Sequence, residues 1–387
     1  MKKPDFFVTL RESAVEVIND SIEVVEYLDL MYSDYDLNGL INFFKKYQDF
    51  EFTHKQRLVI LHHDLDYYPS WDSVGNTIFN IIQIVAEFDI STDHIVILNS
   101  NFGGKYADDV NYLCEIENLN PIQVVDTSLW YDYPPMRKIR NIDITPNKKN
   151  LFCFLNGVGR SNRKTMYAWL AEYNLLEQGN ISWHADNYGY DDTLLSKNQS
   201  NTEFSRHLRT TYPCFSRINE SMGLSKLEKQ LHMKHHALFN KDIKSSGIVG
   251  TPNDKETRWT ADFLQESLVY LVSETVGDYP HILITEKTFK AFASKVPFMI
   301  AGPKNILEYL RSKGFKTFNN IWDESYDNIS DFYNRSKAIA EQLNWLKDQD
   351  QNKILNDCIP ILEYNYNHLR QFHDNELSLL SSNLCYK

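Results

Sequence analysis

The sequence predicts an α/β fold of two Rossmann-like domains facing a cleft, with C-terminal helices packing back on the first domain. Three observations carry this. Short apolar runs alternate with helix-length segments, and the alternation occurs twice. A polar, proline-bearing stretch at Tyr131–Lys149 separates the two series. The chain has 387 residues, long for one domain and suited to two.

In the first series, Arg57–His62 (RLVILH) reads as a strand ending in polar residues. A helical segment follows at about Ser73–Phe88, with Ile78, Ile81, Ile82, Val85 and Ala86 on its apolar positions. The next strand, His94–Leu98, runs into Asn99-Ser100-Asn101. A helix near Tyr106–Glu117 and a strand near Ile122–Val125 complete the series. Such alternation implies a parallel sheet, and ligands gather beyond the carboxyl ends of its strands. His62, His63, Asp64 and Asp66 stand at one such end, Asn99 and Asn101 at another.

The second series opens with the strand Leu151–Leu155, the loop Asn156–Arg163 (NGVGRSNR), a helix at about Lys164–Leu176 and a strand near Ile181–Trp183. Residues Ala185–Asp254 are polar and irregular. The pattern resumes with a helix near Arg258–Gln265 and the strand Ser267–Ser273. An amphipathic helix at Thr285–Ser294, the strand Val296–Ala301 and Gly302-Pro303 follow. Ile329–Tyr366 reads as two helices. The expected organisation is an acceptor-side domain at 1–145, a ligand-binding domain at 146–345 and a helical extension at 346–387.

Composition narrows the function. A net charge of −12 weakens any reading in which the whole surface grips nucleic acid. The five cysteines are scattered, with no zinc-ligand spacing, and read as reduced thiols. No apolar run approaches the roughly 20 residues of a membrane span, and the N-terminus lacks the apolar stretch of a secretory signal. The expected compartment is the cytoplasm, the host's if a phage encodes the chain.

Three constellations carry chemistry. In NGVGRSNR, glycines let backbone approach a phosphate, Ser161 is a candidate helix cap, and Arg160 and Arg163 can pair with diphosphate oxygens. The loop is neither a Walker A sequence nor GxGxxG. The second constellation is Glu274, closing the strand SLVYLVS, with Thr285-Glu286-Lys287 at a helix start. A helix N-terminus attracts anions, so Lys287 can meet a diphosphate while Glu286 accepts from ribose hydroxyls. Lys290 shares roughly the same helix face. The third is His62–Asp72 (HHDLDYYPSWD). Asp64, Asp66 or His63 can serve as a general base for an acceptor hydroxyl. Alternatively Asp64-Leu65-Asp66 holds Mg²⁺ or Mn²⁺, or the aspartates only cap a strand-end loop. His232, His235 and His236 have helical spacing and read as a solvated or acceptor-facing helix rather than a metal site.

The second half resembles the α-1,3-fucosyltransferase family and its phage-encoded relatives of the glycosyltransferase B fold. Arg160-Ser161-Asn162-Arg163 after LFCFL carries one part of the likeness. Ser273-Glu274-Thr275, Ile284-Thr285-Glu286-Lys287, Val296-Pro297 and Gly302-Pro303 carry the other. Thr275 stands where the family has Asn, and Leu283 where it has Tyr, which turns expectation away from GDP-fucose. The resemblance implies that Arg160 or Arg163 and Lys287 bind a donor diphosphate, Glu286 its ribose, and that Glu274 lies near the sugar. The implied donor site then comprises Arg160, Ser161, Asn162, Arg163, Thr285, Glu286, Lys287 and Lys290, with Asp64, Asp66, His63 and Glu274 on the catalytic side. The implied reaction is inverting transfer from a nucleotide-diphosphate sugar to a hydroxyl. The acceptor is a glycan, or a hydroxylated DNA base if the gene is phage-derived. Cations that stabilise the departing diphosphate make a tightly bound metal unnecessary. Two rivals stand beside this: a metal-dependent transferase built on Asp64-Leu65-Asp66, and a non-catalytic nucleotide- or glycan-binding protein.

Overall fold

The computed structural model describes residues 16–30, 37–62, 77–99, 106–126, 141–156, 160–183, 225–239, 262–274, 277, 282 and 284–385. It divides into two compact units. The first draws its described residues from Met1–Tyr133 and His373–Lys387, the second from Pro134–Asp192 and Ser216–Phe372. Each holds a parallel sheet flanked by helices.

In the first unit the strands are β1 (Glu23–Asp29), β2 (Gln56–His62), β3 (Ile95–Asn99) and β4 (Gln123–Asp126). They lie in the order β1-β2-β3-β4, all parallel. Helices α1 (Leu37–Lys45), α2 (Thr77–Glu87) and α3 (Tyr106–Ile116) connect them. Neither β1 nor α1 stood out in the sequence. Residues of alternate parity on β2 and β3 are buried on both faces, as a parallel sheet covered by helices requires. One face carries Val59, Leu61, Val96, Leu98 and Val125, and Leu380 and Leu384 from the chain's end pack on it.

The second unit contains β5 (Asn150–Asn156), α4 (Ser161–Glu172), β6 (Gly179–Trp183), α5 (Lys226–Lys234) and α6 (His236–Phe239). It continues with β7 (Ser267–Ser273), α7 (Glu286–Ala293), β8 (Phe298–Ala301), α8 (Ile306–Ser312) and α9 (Phe332–Lys347). Its sheet runs β6-β5-β7-β8, again parallel throughout. Every residue of β7 and β8 is buried. Gly179 is needed because a Cβ there would stand 2.3 Å from the Phe152 ring.

Three local expectations are corrected. α4 begins at Ser161, so Ser161 is its first helical residue and Arg160 occupies the cap position without a side-chain cap. Asp262–Glu266 is a 3₁₀ turn rather than part of an α-helix. The chain ends in one 35-residue helix, α10 (Gln351–Cys385), that runs on through Pro360 and past Tyr366. Proline costs a helix one hydrogen bond and some crowding. Buried Leu355, Cys358, Leu362, Tyr366, Leu369 and Phe372 at helical spacing outweigh that cost.

Candidate functional site

The strand order of the second unit fixes where its site must be. From β5 the chain crosses to β6 on one side, and β7 then pairs on the other side of β5. That reversal is a topological switch point, and the crevice of such a sheet opens at the carboxyl ends of the two strands concerned. Here these are Asn156 on β5 and Ser273 on β7, with Glu274 directly after it.

Helices α4 and α7 leave those ends on opposite faces. Trp183 of β6 stacks on Tyr167 of α4 at 4.9 Å. Asn156, in register with Trp183, therefore shares the α4 face. Cys153 has the other parity. Burial pushes its thiol up, and the Lys290 charge on α7 opposes that shift. Lys290 thus serves the opposite face.

Glu274 is fully buried and joins the two halves of the crevice. One carboxylate oxygen accepts from the Thr285 amide at 3.2 Å and the Thr288 hydroxyl at 2.6 Å. The other accepts from the Thr285 hydroxyl at 2.5 Å. The carboxylate therefore sits at the positive end of α7, where charge and unpaired amides favour it. Its backbone is held as well: the amide donates to the Ala301 carbonyl at 3.0 Å, and the Glu274 carbonyl accepts from Asn162 at 2.9 Å. One residue thus ties the first turn of α4 to the first turn of α7.

Three cations belong to these two helix starts. Arg160 caps α4 with its backbone, and Arg163 is buried in the first turn. Lys287 is half-buried, and its ammonium donates to the Thr285 hydroxyl at 3.0 Å. Glu286 is the first residue of α7, and its side chain lies outside the described set. His63, Asp64 and Asp66 also lie outside the described residues, as do Gly157–Gly159. The structure brings together Arg160, Ser161, Asn162, Arg163, Glu274, Thr285 and Lys287 at one sheet end.

Sequence reasoning missed several supports. Thr288 is one; its three-residue spacing from Thr285 was the available signal. Arg335 on α9 is another. It is 1% exposed and donates to the carbonyls of Gly302 at 3.0 Å, Gly277 at 2.9 Å and Ile329. It thereby pins the segments that follow β7 and β8. Gly302 fits against the anchor: a Cβ there would meet Glu274 Cγ at 3.3 Å and Ile306 at 3.1 Å.

Of the three histidines, His232 in α5 and His235 just after it are partly buried, whereas His236, the first residue of α6, is exposed. Ser225 and Glu228 form a capping box that starts α5, and α5 docks on α4. His232 meets the Thr165 hydroxyl at 2.9 Å, and Thr165 also donates to Glu228 at 3.3 Å. His235 meets Glu172 at 2.5 Å. Among the described residues no group of three or more His, Cys, Asp or Glu is placed to hold a metal ion. None of the described helices is long and apolar enough to cross a membrane.

No family model matches the sequence, and no curated protein matches it. The likeness to the fucosyltransferase family therefore rests on the quoted residues alone. Among solved structures, the chain is similar to a DNA-modifying β-glucosyltransferase determined with and without its substrate uridine diphosphoglucose. That match has 10% identity, a TM-score of 0.39, and covers 92% of this chain and 99% of the other. T4 phage β-glucosyltransferase bound to UDP-glucose gives 10% identity, a TM-score of 0.39, and 93% and 99% coverage. Its complex with UDP and Mn²⁺ gives 12% identity, a TM-score of 0.36, and 92% and 99% coverage. At these values the likeness carries no functional argument.

Proposed function

We propose that the protein is a glycosyltransferase that moves a sugar from a nucleotide diphosphate to a hydroxyl acceptor with inversion. The observation that carries this is the anchoring of two helix N-termini by Glu274 at the β5/β7 switch point. The reading is supported by Arg160, Arg163 and Lys287 belonging to the two helix starts that Glu274 ties together, a cationic setting suited to a leaving diphosphate. Glu286 is assigned to the ribose. Both oxygens of Glu274 are engaged within the protein, so we assign it a positioning role rather than contact with the sugar. The acceptor-side base is assigned to Asp64, Asp66 or His63, which follow β2 in the sequence. A glycan or a hydroxylated nucleobase supplies the hydroxyl. The acidic net charge of −12 favours the glycan.

A thermal-shift screen of UDP-, GDP-, ADP- and CMP-sugars, with and without Mn²⁺, tests this on wild type and Lys287→Ala. A donor at about 100 times its dissociation constant stabilises the fold by roughly 2.7 kcal/mol. The expected result is a metal-independent shift with one nucleotide class, lost in Lys287→Ala without a drop in the unliganded midpoint. A shift that needs Mn²⁺ and survives the substitution moves the donor to Asp64 and Asp66. No shift with any nucleotide removes the donor-site reading.

A further inference from the structure

Among the described residues, the switch point holds buried polar atoms without a hydrogen-bond partner. Asn156 is 1% exposed, and neither its amide nitrogen nor its amide oxygen has a hydrogen-bond partner. Ser273 is 2% exposed, and its hydroxyl is likewise unpartnered. The pairing of β5 with β7 runs to Cys153 opposite Tyr270, and three residues on the same parity puts Asn156 and Ser273 on one face at the two strand ends. Both side chains therefore project to the α4 face, at the strand ends from which the crevice opens. They lie beside, yet apart from, the Glu274 anchor, whose side chain takes the other face.

Buried polar groups without partners are destabilising, so two on one face at the strand ends ask for a ligand that completes them. Their chemistry says which. Phosphate oxygens only accept, so a phosphate here would leave the Asn156 amide oxygen unmatched. A hydroxyl both donates and accepts. Neighbouring hydroxyls of a polyol can take the amide nitrogen, the amide oxygen and the Ser273 hydroxyl together. The 12-residue helix α4 starts at Ser161, and its N-cap residue Arg160 makes no side-chain cap hydrogen bond.

We propose that Asn156 and Ser273 form a hydroxyl-reading subsite for the sugar of the donor, separate from the cations that hold its diphosphate. The subsite rests on the donor reading above. It makes the pair specificity-determining: they choose among sugars and leave nucleotide binding alone. A site built to hydrogen-bond a hydroxyl rejects the analogue that lacks it.

The test compares UDP, GDP, UDP-glucose and GDP-mannose by titration calorimetry on wild type, Asn156→Leu and Ser273→Ala. The expected outcome is nucleotide-diphosphate affinity unchanged within about twofold and hexose-conjugate affinity reduced at least about tenfold. An unchanged ratio of conjugate to nucleotide affinity in folded variants overturns the subsite and leaves a purely structural, hydrated pair. Should Asn156→Leu not fold, wild type is titrated with monodeoxy hexose conjugates. At least one should bind about tenfold more weakly than its parent, and equal binding of all of them overturns the subsite. If wild type binds none of these four and none of the UDP-, GDP-, ADP- and CMP-sugars of the wider screen, the donor reading itself has failed, and the subsite falls with it.

Discussion

Glu274 accepts three hydrogen bonds at the start of α7 while its own carbonyl is held from α4. Charge-assisted bonds of this kind are roughly twice as strong as neutral ones, and an unmatched donor at a buried site costs about 1–3 kcal/mol. Glu274→Gln keeps the volume, removes the charge and turns an amino group toward the Thr285 and Thr288 donors. The expected result is a loss of about 2–3 kcal/mol in chemical denaturation, accompanied by weaker nucleotide binding because the two helix starts lose their common anchor. Lys287→Ala should do the reverse, losing affinity at unchanged stability. A Glu274→Gln protein of wild-type stability that binds donor yet does not turn over would make Glu274 a participant in the chemistry instead. Glu274 and Thr285 were visible in the sequence because one closes an apolar strand and the other opens an amphipathic helix. The bond between them was not, since only the fold brings positions 11 apart together at two element ends. Arg335 and Asn156 were less visible still. An arginine in a helix reads as surface, and an asparagine in a glycine-bearing loop reads as a turn residue, until burial shows otherwise.

At the scale of elements, β2, β3, β5 and β7 declared themselves because strands of a covered parallel sheet are apolar throughout. β1 did not, since EVVEYLD interleaves charge with apolar residues, as an edge strand does. α4 was placed late by three residues because Asn162, Arg163 and Thr165–Leu170 are all buried, which blurs the one-sided pattern that marks a helix start. The docking of α5 on α4 has a pH signature. Burial, followed by the nearby Lys164 charge, pushes the His232 imidazole down to about 4 from an ordinary 6.5. Between those values the unfolded chain binds a proton that the folded chain does not, so stability falls as pH drops through that window. Above 6.5 the contribution is fully present. Denaturant unfolding at pH 7 and pH 4.5 should therefore show a larger acid loss for wild type than for His232→Gln. Parallel losses in the two proteins would mean that the His232 contact does not set the acid sensitivity.

At the scale of the whole molecule, α10 belongs to both units. Its Phe372 stacks with Phe289 in the second unit, at 6.3 Å between ring centroids. Farther along, Leu380 and Leu384 complete the apolar face of the first unit beside Val59, Val96 and Leu98. Leu377 packs beside them, and Leu380 and Leu384 are the buried members that the chain's last segment gives to this face. Truncating a buried leucine to alanine costs about 2–5 kcal/mol through lost burial and the cavity left behind. A Leu380→Ala/Leu384→Ala variant should therefore lower the stability of the first unit by several kcal/mol while leaving the β5–β8 sheet, and its nucleotide affinity, intact. Calorimetry is the direct check. The expected trace splits into two transitions, the lower one displaced downward and insensitive to nucleotide, the upper one near the wild-type position and raised by nucleotide. A single transition that moves as a block and remains nucleotide-sensitive throughout would show instead that α10 couples the two sheets into one cooperative unit, and that damage at the first sheet reaches the donor site.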